Sequence, residues 1–210
     1  MENPRILVAI PYSYKKQYCL AQTFEAAQHL TYPNKEIVLR FDPNPYGSKD
    51  ACKKQREFFR LMAIEKGFDY LYFLGCDTIP PDDVIERLLA HGKHISGGVY
   101  WGRAHAENGN TNSPVAWIHD ITPPERNSKC LSGDVITVDG MGMDCVLFSR
   151  EVLEKISFLS WEQNDDDYPF YDKAKALGYK VYLDTTIQCR HYYGEDFCEG
   201  FSYMATDNLI

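Results

Sequence analysis

The sequence predicts a mixed α/β fold in which a mostly parallel β-sheet is flanked by helices. Short apolar runs typical of buried strands alternate with segments of helical spacing through the first hundred residues. Three successive strand–helix units of this kind favour a parallel sheet with right-handed crossovers. The chain has 210 residues, 44% of them hydrophobic, and can bury roughly 70% of its unfolded surface in one core. We therefore expect a single domain over residues 1–210.

The first half supplies four predicted strands and three predicted helices. The strands are predicted at residues 5–10, 36–41, 70–74 and 95–99, of which the first is closed by Pro11 and the second ends near Asp42. Between them, apolar residues recur at helical spacing over residues 20–30, 52–67 and 84–89, and Gly67 is expected to end the second helix.

The second half is less regular. Residues 102–113 and 122–133 have no hydrophobic period and are rich in turn-forming residues, so each predicts a loop. Short strands are expected at residues 135–138, 145–148, 180–183 and 187–190, and helices after Ser149 and before Gly178.

The charge excludes some partners. The net charge is -8, from 22 basic and 30 acidic side chains, so nucleic acid and anionic membranes would be repelled. If the ligand is a phosphate compound, a divalent cation has to lie between the two negative partners. The seven cysteines form no C-x-x-C pair, and no apolar stretch is long enough for a signal peptide or transmembrane segment. These features favour a cytoplasmic protein with reduced thiols.

Three polar clusters follow predicted strands or precede helices, where ligands of parallel sheets bind. The stretch YLYFLGCDTIPPDD contains Asp77, which either caps a helix beginning near Pro80 or binds a metal ion. Asp165, Asp166 and Asp167 either stabilise the helix that follows them or include a catalytic base. His191 is either a hydrogen-bonded structural residue or a ligand.

Other polar and aromatic residues leave similar alternatives. Cys189, His191 and Cys198 match no common zinc spacing. Lys15, Lys16 and Arg103 either assist in binding an anion or are simply solvated. Tyr100, Trp101 and Trp161 either form an apolar platform for a sugar or belong to the core.

Five segments, in order along nearly the whole chain, resemble the GT-A fold glycosyltransferases, in particular the family-two-like enzymes. They are VAIPYSYKKQYCLAQTFEAAQHLTYPNKEIVLRFD, DYLYFLGCDTIPPDDVIERLL, ISGGVYWGR, GMGMDCVLFSREVLEKI and DDDYPFYDKAKALGYKVYLDTTIQCRHY. The resemblance implies a Rossmann-like GT-A domain whose first hundred residues bind a nucleotide-diphosphate sugar. The remainder would bind the acceptor, which is a glycan, a protein or a small molecule. It implies a metal-dependent, hexosyltransferase-like enzyme.

The resemblance also assigns roles to individual residues. Asp77 and His191 would hold the divalent metal, Mn²⁺ or Mg²⁺, and Asp167 would be the catalytic base, with Asp166 as its acidic neighbour. The remaining assignments are donor-nucleotide contacts by Pro11, Tyr12, Asp42, Cys76 and Asp77, and acceptor contacts by Tyr100, Trp101, Gly140, Gly142 and Trp161.

The sequence departs from the family pattern at three positions. Gly75 stands where the family has the first acid of its D-x-D motif, so nucleotide binding is weaker or differently arranged. Met141 and Asp144 stand where the family usually has smaller residues, so the acceptor cannot be inferred. Two alternatives remain open: a GT-A-like domain that binds carbohydrate or protein without catalysis, and a sugar nucleotidyltransferase, against which the first strand's turn lacks the expected glycines.

Overall fold

The structure, a computed structural model, describes residues 3–42, 49–106, 109–159 and 167–192. Its strands are β1 (Ile6–Ser13), β2 (Lys35–Asp42), β3 (Tyr70–Leu74), β4 (Thr78–Ile79), β5 (Ile95–Val99), β6 (Trp101–Ala106), β7 (Gly109–Pro114), β8 (Ala116–Trp117), β9 (Val135–Val138), β10 (Gly140–Met141), β11 (Cys145–Ser149), β12 (Val181–Gln188) and β13 (Arg190–His191). Its helices are α1 (Leu20–His29), α2 (Lys49–Glu65), α3 (Val84–Ala90), α4 (Pro123–Lys129), α5 (Arg150–Lys155) and α6 (Tyr168–Ala176), with a 3-10 helix at Tyr14–Cys19.

Seven strands form the central sheet in the order β2-β1-β3-β11-β5-β12-β9. β1 pairs in parallel with both β2 and β3, and β5 pairs in parallel with β12. β11 is antiparallel to both of its neighbours, and β9 is antiparallel to β12. Five strands therefore run in one direction and two in the other, which confirms the predicted mostly parallel α/β sheet.

The alternation of side chains along β1 explains why the sheet is covered on both faces. Leu7 and Ala9 pack into one hydrophobic cluster with residues of α2, α5 and α6. Ile6, Val8 and Ile10 pack into the other cluster with residues of α1 and α3. All five side chains are fully buried, because successive residues of a strand point to opposite faces. The molecule is thus a sheet between two helical layers.

The two predicted loops of the second half are wrong. Residues 102–106 and 109–113 belong to the antiparallel strands β6 and β7, in which Ala106 pairs with Gly109, so they form a strand pair rather than a loop. Residues 122–133 contain α4, whose first turn is a capping box: Thr122 accepts from the Glu125 backbone and the Glu125 carboxylate accepts from the Thr122 backbone.

The strand predictions near residues 180–190 are also corrected. The first predicted strand and the start of the second form one strand, β12, with an irregularity in its pairing between Asp184 and Gln188, and Arg190 begins the separate strand β13. Of the helices within the described residues, none is both long enough and apolar enough to cross a membrane.

Candidate metal and donor site

Asp77 lies in the turn that follows β3. The Cys76 carbonyl accepts hydrogen bonds from Thr23 Oγ1, at 2.7 Å, and from Cys19 Sγ, at 3.2 Å. These bonds tie the turn to the start of α1, and the Asp77 side chain is buried. Because the next two residues form β4 and α3 begins only at Val84, Asp77 does not cap a helix near Pro80. The capping interpretation of Asp77 is therefore wrong.

His191 reaches Asp77 through a two-residue ladder. β13 pairs antiparallel with β4, so that His191 lies opposite Thr78, and the Tyr192 N–H donates to the Asp77 carbonyl at 2.8 Å. The His191 Nδ1–H donates to the Trp101 carbonyl at 2.8 Å, and Nε2 lies 3.2 Å from Asp77 Oδ2. The Trp101 carbonyl therefore fixes the ring so that Nε2 faces the carboxylate.

Asp144, on the turn before β11, completes a cluster of three. Cys145 pairs with Leu74, and the Gly75 N–H donates to the Asp144 carbonyl at 2.9 Å, which brings residue 144 beside the Asp77 turn. One ligating atom from each of Asp77, Asp144 and His191 lies within 4.8 Å of the others. Two carboxylates and one imidazole are a donor set that suits Mn²⁺ and also Mg²⁺, so these residues fit a divalent cation.

The electrostatics of the cluster reflect two acids in close proximity. Burial raises the pKa of the Asp77 carboxyl, but His191 and Lys16 outweigh it, and the net pKa is lowered. Burial and the Asp77 charge together raise the pKa of Asp144. Burial lowers the pKa of His191, but the hydrogen bond to Asp77 together with the charges of Asp77 and Asp144 outweighs it, and the net pKa is raised. The two carboxylates therefore attract a positively charged group to the cluster.

Lys16 supplies such a charge from the 3-10 helix after β1. Its ammonium forms an ion pair with the Asp77 carboxylate. Burial alone would lower the pKa of Lys16, but the charge of Asp77 and the hydrogen bond to it together raise the pKa on balance, so the ammonium stays protonated. The sequence left open whether Lys16 assists binding or is solvated, and the structure places it in the site.

The predicted donor-nucleotide residues lie along the same edge of the sheet. Pro11 and Tyr12 are near the end of β1, and Ser13 pairs with Asp42 at the end of β2. Because β1, β2 and β3 are parallel, their carboxyl ends meet at the edge that carries Asp77. The Cys76 side chain is 7% exposed. Contact of these residues with a nucleotide stays a prediction.

Asp167, the predicted base, lies directly before α6. It makes no capping hydrogen bond there and instead forms an ion pair with Arg56 of α2, whose side chain is 6% exposed. Burial raises the pKa of Tyr100, and the charges of Asp144 and Asp167 raise it further, so both acids act on the same hydroxyl. Asp166 lies outside the described residues.

Arg56 was not among the predicted site residues, although the sequence contains a signal for it. Arg56, Phe59 and Ala63 share the inward face of α2. A basic residue on the apolar face of a predicted helix indicates a buried charge partner. For Asp144, the signal was that the sequence departs from the family pattern at two positions, losing an acid at Gly75 and gaining one at Asp144.

The predicted acceptor residues that the structure describes are buried. Tyr100 is 5% exposed and Trp101 is 1% exposed, and the Tyr100 ring lies 5.2 Å from the His191 ring. A Cβ at Gly140 would lie 2.9 Å from the Tyr171 ring, and one at Gly142 would overlap the Tyr100 hydroxyl. Acceptor binding by these residues stays a prediction. Trp161 lies outside the described residues.

Comparison with solved structures identifies the architecture. The viral protein A197 from STIV superposes with a TM-score of 0.59 at 21% identity, covering 91% of this chain and 87% of that one. GalNAc-T7, solved with UDP, GalNAc and Mn²⁺, superposes with a TM-score of 0.58 at 11% identity, covering 94% of this chain. The chain has a GT-A-like fold. It spans 45% of the GalNAc-T7 chain.

The GT-A-like assignment rests on three-dimensional similarity. No protein-family model matches the sequence, and neither does any curated protein. The identities of 21% and 11% show the shared fold, and the chemistry has to be argued from this chain's own residues.

Proposed function

We propose that this protein is a metal-dependent glycosyltransferase that moves a sugar from a nucleotide-diphosphate sugar to an acceptor. The observation that carries the proposal is the convergence of Asp77, Asp144 and His191, with ligating atoms within 4.8 Å, at the edge where a GT-A-like sheet ends its parallel strands. Ligands of open α/β sheets bind at that edge. The proposed compartment is the cytoplasm.

The metal site is proposed to hold the diphosphate of the donor. Asp77 and His191 provide a hard oxygen and an imidazole nitrogen, and the Trp101 carbonyl keeps the imidazole in the required orientation. A bound Mn²⁺ or Mg²⁺ would neutralise the charge that develops on the departing nucleoside diphosphate. Lys16 adds a cation beside Asp77, which matters in a chain of net charge -8.

Asp167 is proposed to accept the proton from the acceptor hydroxyl. A general base must be ionised before the reaction, and the guanidinium of Arg56 favours the ionised form of its partner carboxylate. The same contact fixes the position of Asp167 between α2 and α6. Asp166 is proposed to assist from the preceding position.

The binding of the two substrates is divided along the chain. Residues 1–100 are proposed to bind the donor, through Pro11, Tyr12, Asp42 and the Cys76–Asp77 turn. The remainder, from about residue 100, is proposed to bind the acceptor through contacts with Tyr100, Trp101, Gly140, Gly142 and Trp161.

A second candidate function is binding without catalysis. The Arg56–Asp167 ion pair favours it, because a base occupied by a guanidinium must exchange that partner for the acceptor hydroxyl. Such a domain would bind the donor with Mn²⁺ but would not release nucleoside diphosphate.

The test is a screen of nucleotide sugars for Mn²⁺-dependent release of nucleoside diphosphate, with binding followed separately by thermal shift. We expect release with at least one donor, and we expect Asp77→Asn to abolish both the release and the thermal shift. Glu154→Gln, which removes one exposed acid on α5, is the matched control and should behave as wild type. A thermal shift without release of nucleoside diphosphate would favour binding without catalysis. The absence of both signals would refute both functions.

A further inference from the structure

Gly75 is a glycine for reasons of space. Its φ does not lie in the left-handed region, which among the described glycines is adopted by Gly67, Gly92, Gly133 and Gly178. A side chain is therefore compatible with its backbone. A Cβ at this position, however, would lie 2.5 Å from Cβ and Cγ of Asp144 and 2.7 Å from its Oδ1. The Asp144 side chain occupies the volume that a side chain at residue 75 would fill.

Asp144 is an acid in an unfavourable environment. Its side chain is half-buried beside Asp77, and within the part of the chain that the structure describes, its carboxylate makes no hydrogen bond or ion pair. Two acids so close repel each other, and burial adds a desolvation cost. A divalent cation bound between them would offset both effects.

The register of β11 against β3 explains why side chains at residues 75 and 144 would occupy the same space. β11 and β3 are antiparallel with Cys145 opposite Leu74, so Asp144 and Gly75 are the next facing pair beyond it. They are joined by the 2.9 Å hydrogen bond from the Gly75 N–H to the Asp144 carbonyl. Side chains of such a pair lie on the same face of the sheet.

We propose that Asp144 supplies the second carboxylate of the cation site from β11, and that Gly75 is small in order to admit it. The two positions are then exchangeable. An acid at either position serves the site, provided that the other position has no side chain. This inference rests on the proposed function to the extent that the site binds a divalent cation.

The first experiment measures Mn²⁺ binding to the purified protein without nucleotide, by electron paramagnetic resonance of free Mn²⁺. We expect Asp144→Asn and Asp144→Gly each to weaken binding by at least about 10- to 100-fold, the loss typical even of outer residues of metal sites. The exchange variant Gly75→Asp/Asp144→Gly should recover binding to within about tenfold of wild type. Glu154→Gln should bind as wild type, since it changes the net charge equally but alters an exposed side chain on α5.

The second experiment needs no metal. Gly75→Ala should lower the thermal midpoint, because its methyl group overlaps Asp144, and the same substitution in the Asp144→Gly background should not lower it further. An equal loss in both backgrounds would overturn the steric part of the inference.

The outcomes separate this inference from the proposed function. If the wild type does not bind Mn²⁺, both fail. If the wild type binds and Asp144→Asn binds equally well, the inference fails while a site of Asp77 and His191 stands. If Asp144→Gly loses binding and the folded exchange variant does not regain it, the two positions are not exchangeable.

Discussion

Removing Lys16 should strengthen Mn²⁺ binding, although it makes the protein more negative by only one charge. The Lys16 ammonium and a divalent cation compete for the same Asp77 carboxylate, since the ammonium forms an ion pair with it. In Lys16→Met the cation no longer has to displace this partner. The affinity for Mn²⁺ measured without nucleotide should therefore rise.

The size of the effect follows from the exposure of the pair. The Lys16 side chain is 38% exposed and that of Asp77 is 6% exposed, so the pair is partly screened by solvent. Exposed ion pairs contribute about 0.2–1 kcal/mol, and we take the upper end because Asp77 is buried. Since 1.4 kcal/mol is tenfold in affinity, the dissociation constant for Mn²⁺ should fall about fivefold.

The assay is titration calorimetry with Mn²⁺, at fixed ionic strength. Lys54→Met is the matched control, because Lys54 is exposed on α2 and its removal changes the net charge equally. With a nucleoside diphosphate present the direction should reverse, because Lys16 is then free to contact phosphate. An unchanged or weaker affinity of Lys16→Met for Mn²⁺ alone would refute the competition, and an equal gain in Lys54→Met would show a general charge effect.

Three further predictions concern stability. Asp184 accepts hydrogen bonds from Thr186 and His91 that outweigh its burial and lower its pKa, so Asp184→Asn should cost about 1–3 kcal/mol at neutral pH. A lowered carboxyl pKa stabilises the fold above the unfolded value of about 3.9, so this difference should shrink as the pH falls below about 4. Gly142→Ala should lower the free energy of unfolding by about 1–3 kcal/mol by displacing the Tyr100 hydroxyl. Thr122→Ala should cost about 0.5–2 kcal/mol and speed amide exchange in α4.

Each of these stability predictions has an outcome that contradicts it. For Asp184→Asn, the prediction is contradicted if chemical denaturation gives the same difference in unfolding free energy from wild type at every pH from 3 to 7. For Gly142→Ala, an unchanged denaturation midpoint would mean that Tyr100 does not fill this space. For Thr122→Ala, exchange protection of α4 equal to that of wild type would show that the capping box does not stabilise the helix.

Much of the fold could be predicted because its strands are buried on both faces. The apolar run of β1 and the whole of β3 are visible without knowledge of their partners. β1 nevertheless continues through Pro11 to Ser13, beyond its predicted end. The α4 helix was missed although its T-P-P-E start is a capping signature, because its composition resembles a turn. The β6–β7 hairpin was missed for the same reason.

The candidate site was predictable only in part, because it depends on pairings between distant residues. Asp77 could be predicted as a site residue because it follows an apolar strand. Its proximity to His191 depends on the β4–β13 ladder, which is only two residues long and has no local signal. The place of Asp144 depends on the register of β11 against β3, and Arg56 pairs with a residue far along the chain.

The position of β11 has a consequence for the order in which the protein is built. This strand is inserted between β3 and β5, both of which leave the ribosome before it. Until residues 145–149 emerge, the nascent chain therefore holds two early strands with unsatisfied edges, which are prone to pair with other chains. β11 joins β3 to β5 only in the last third of synthesis, and the Asp144 carboxylate emerges immediately before the strand that joins them.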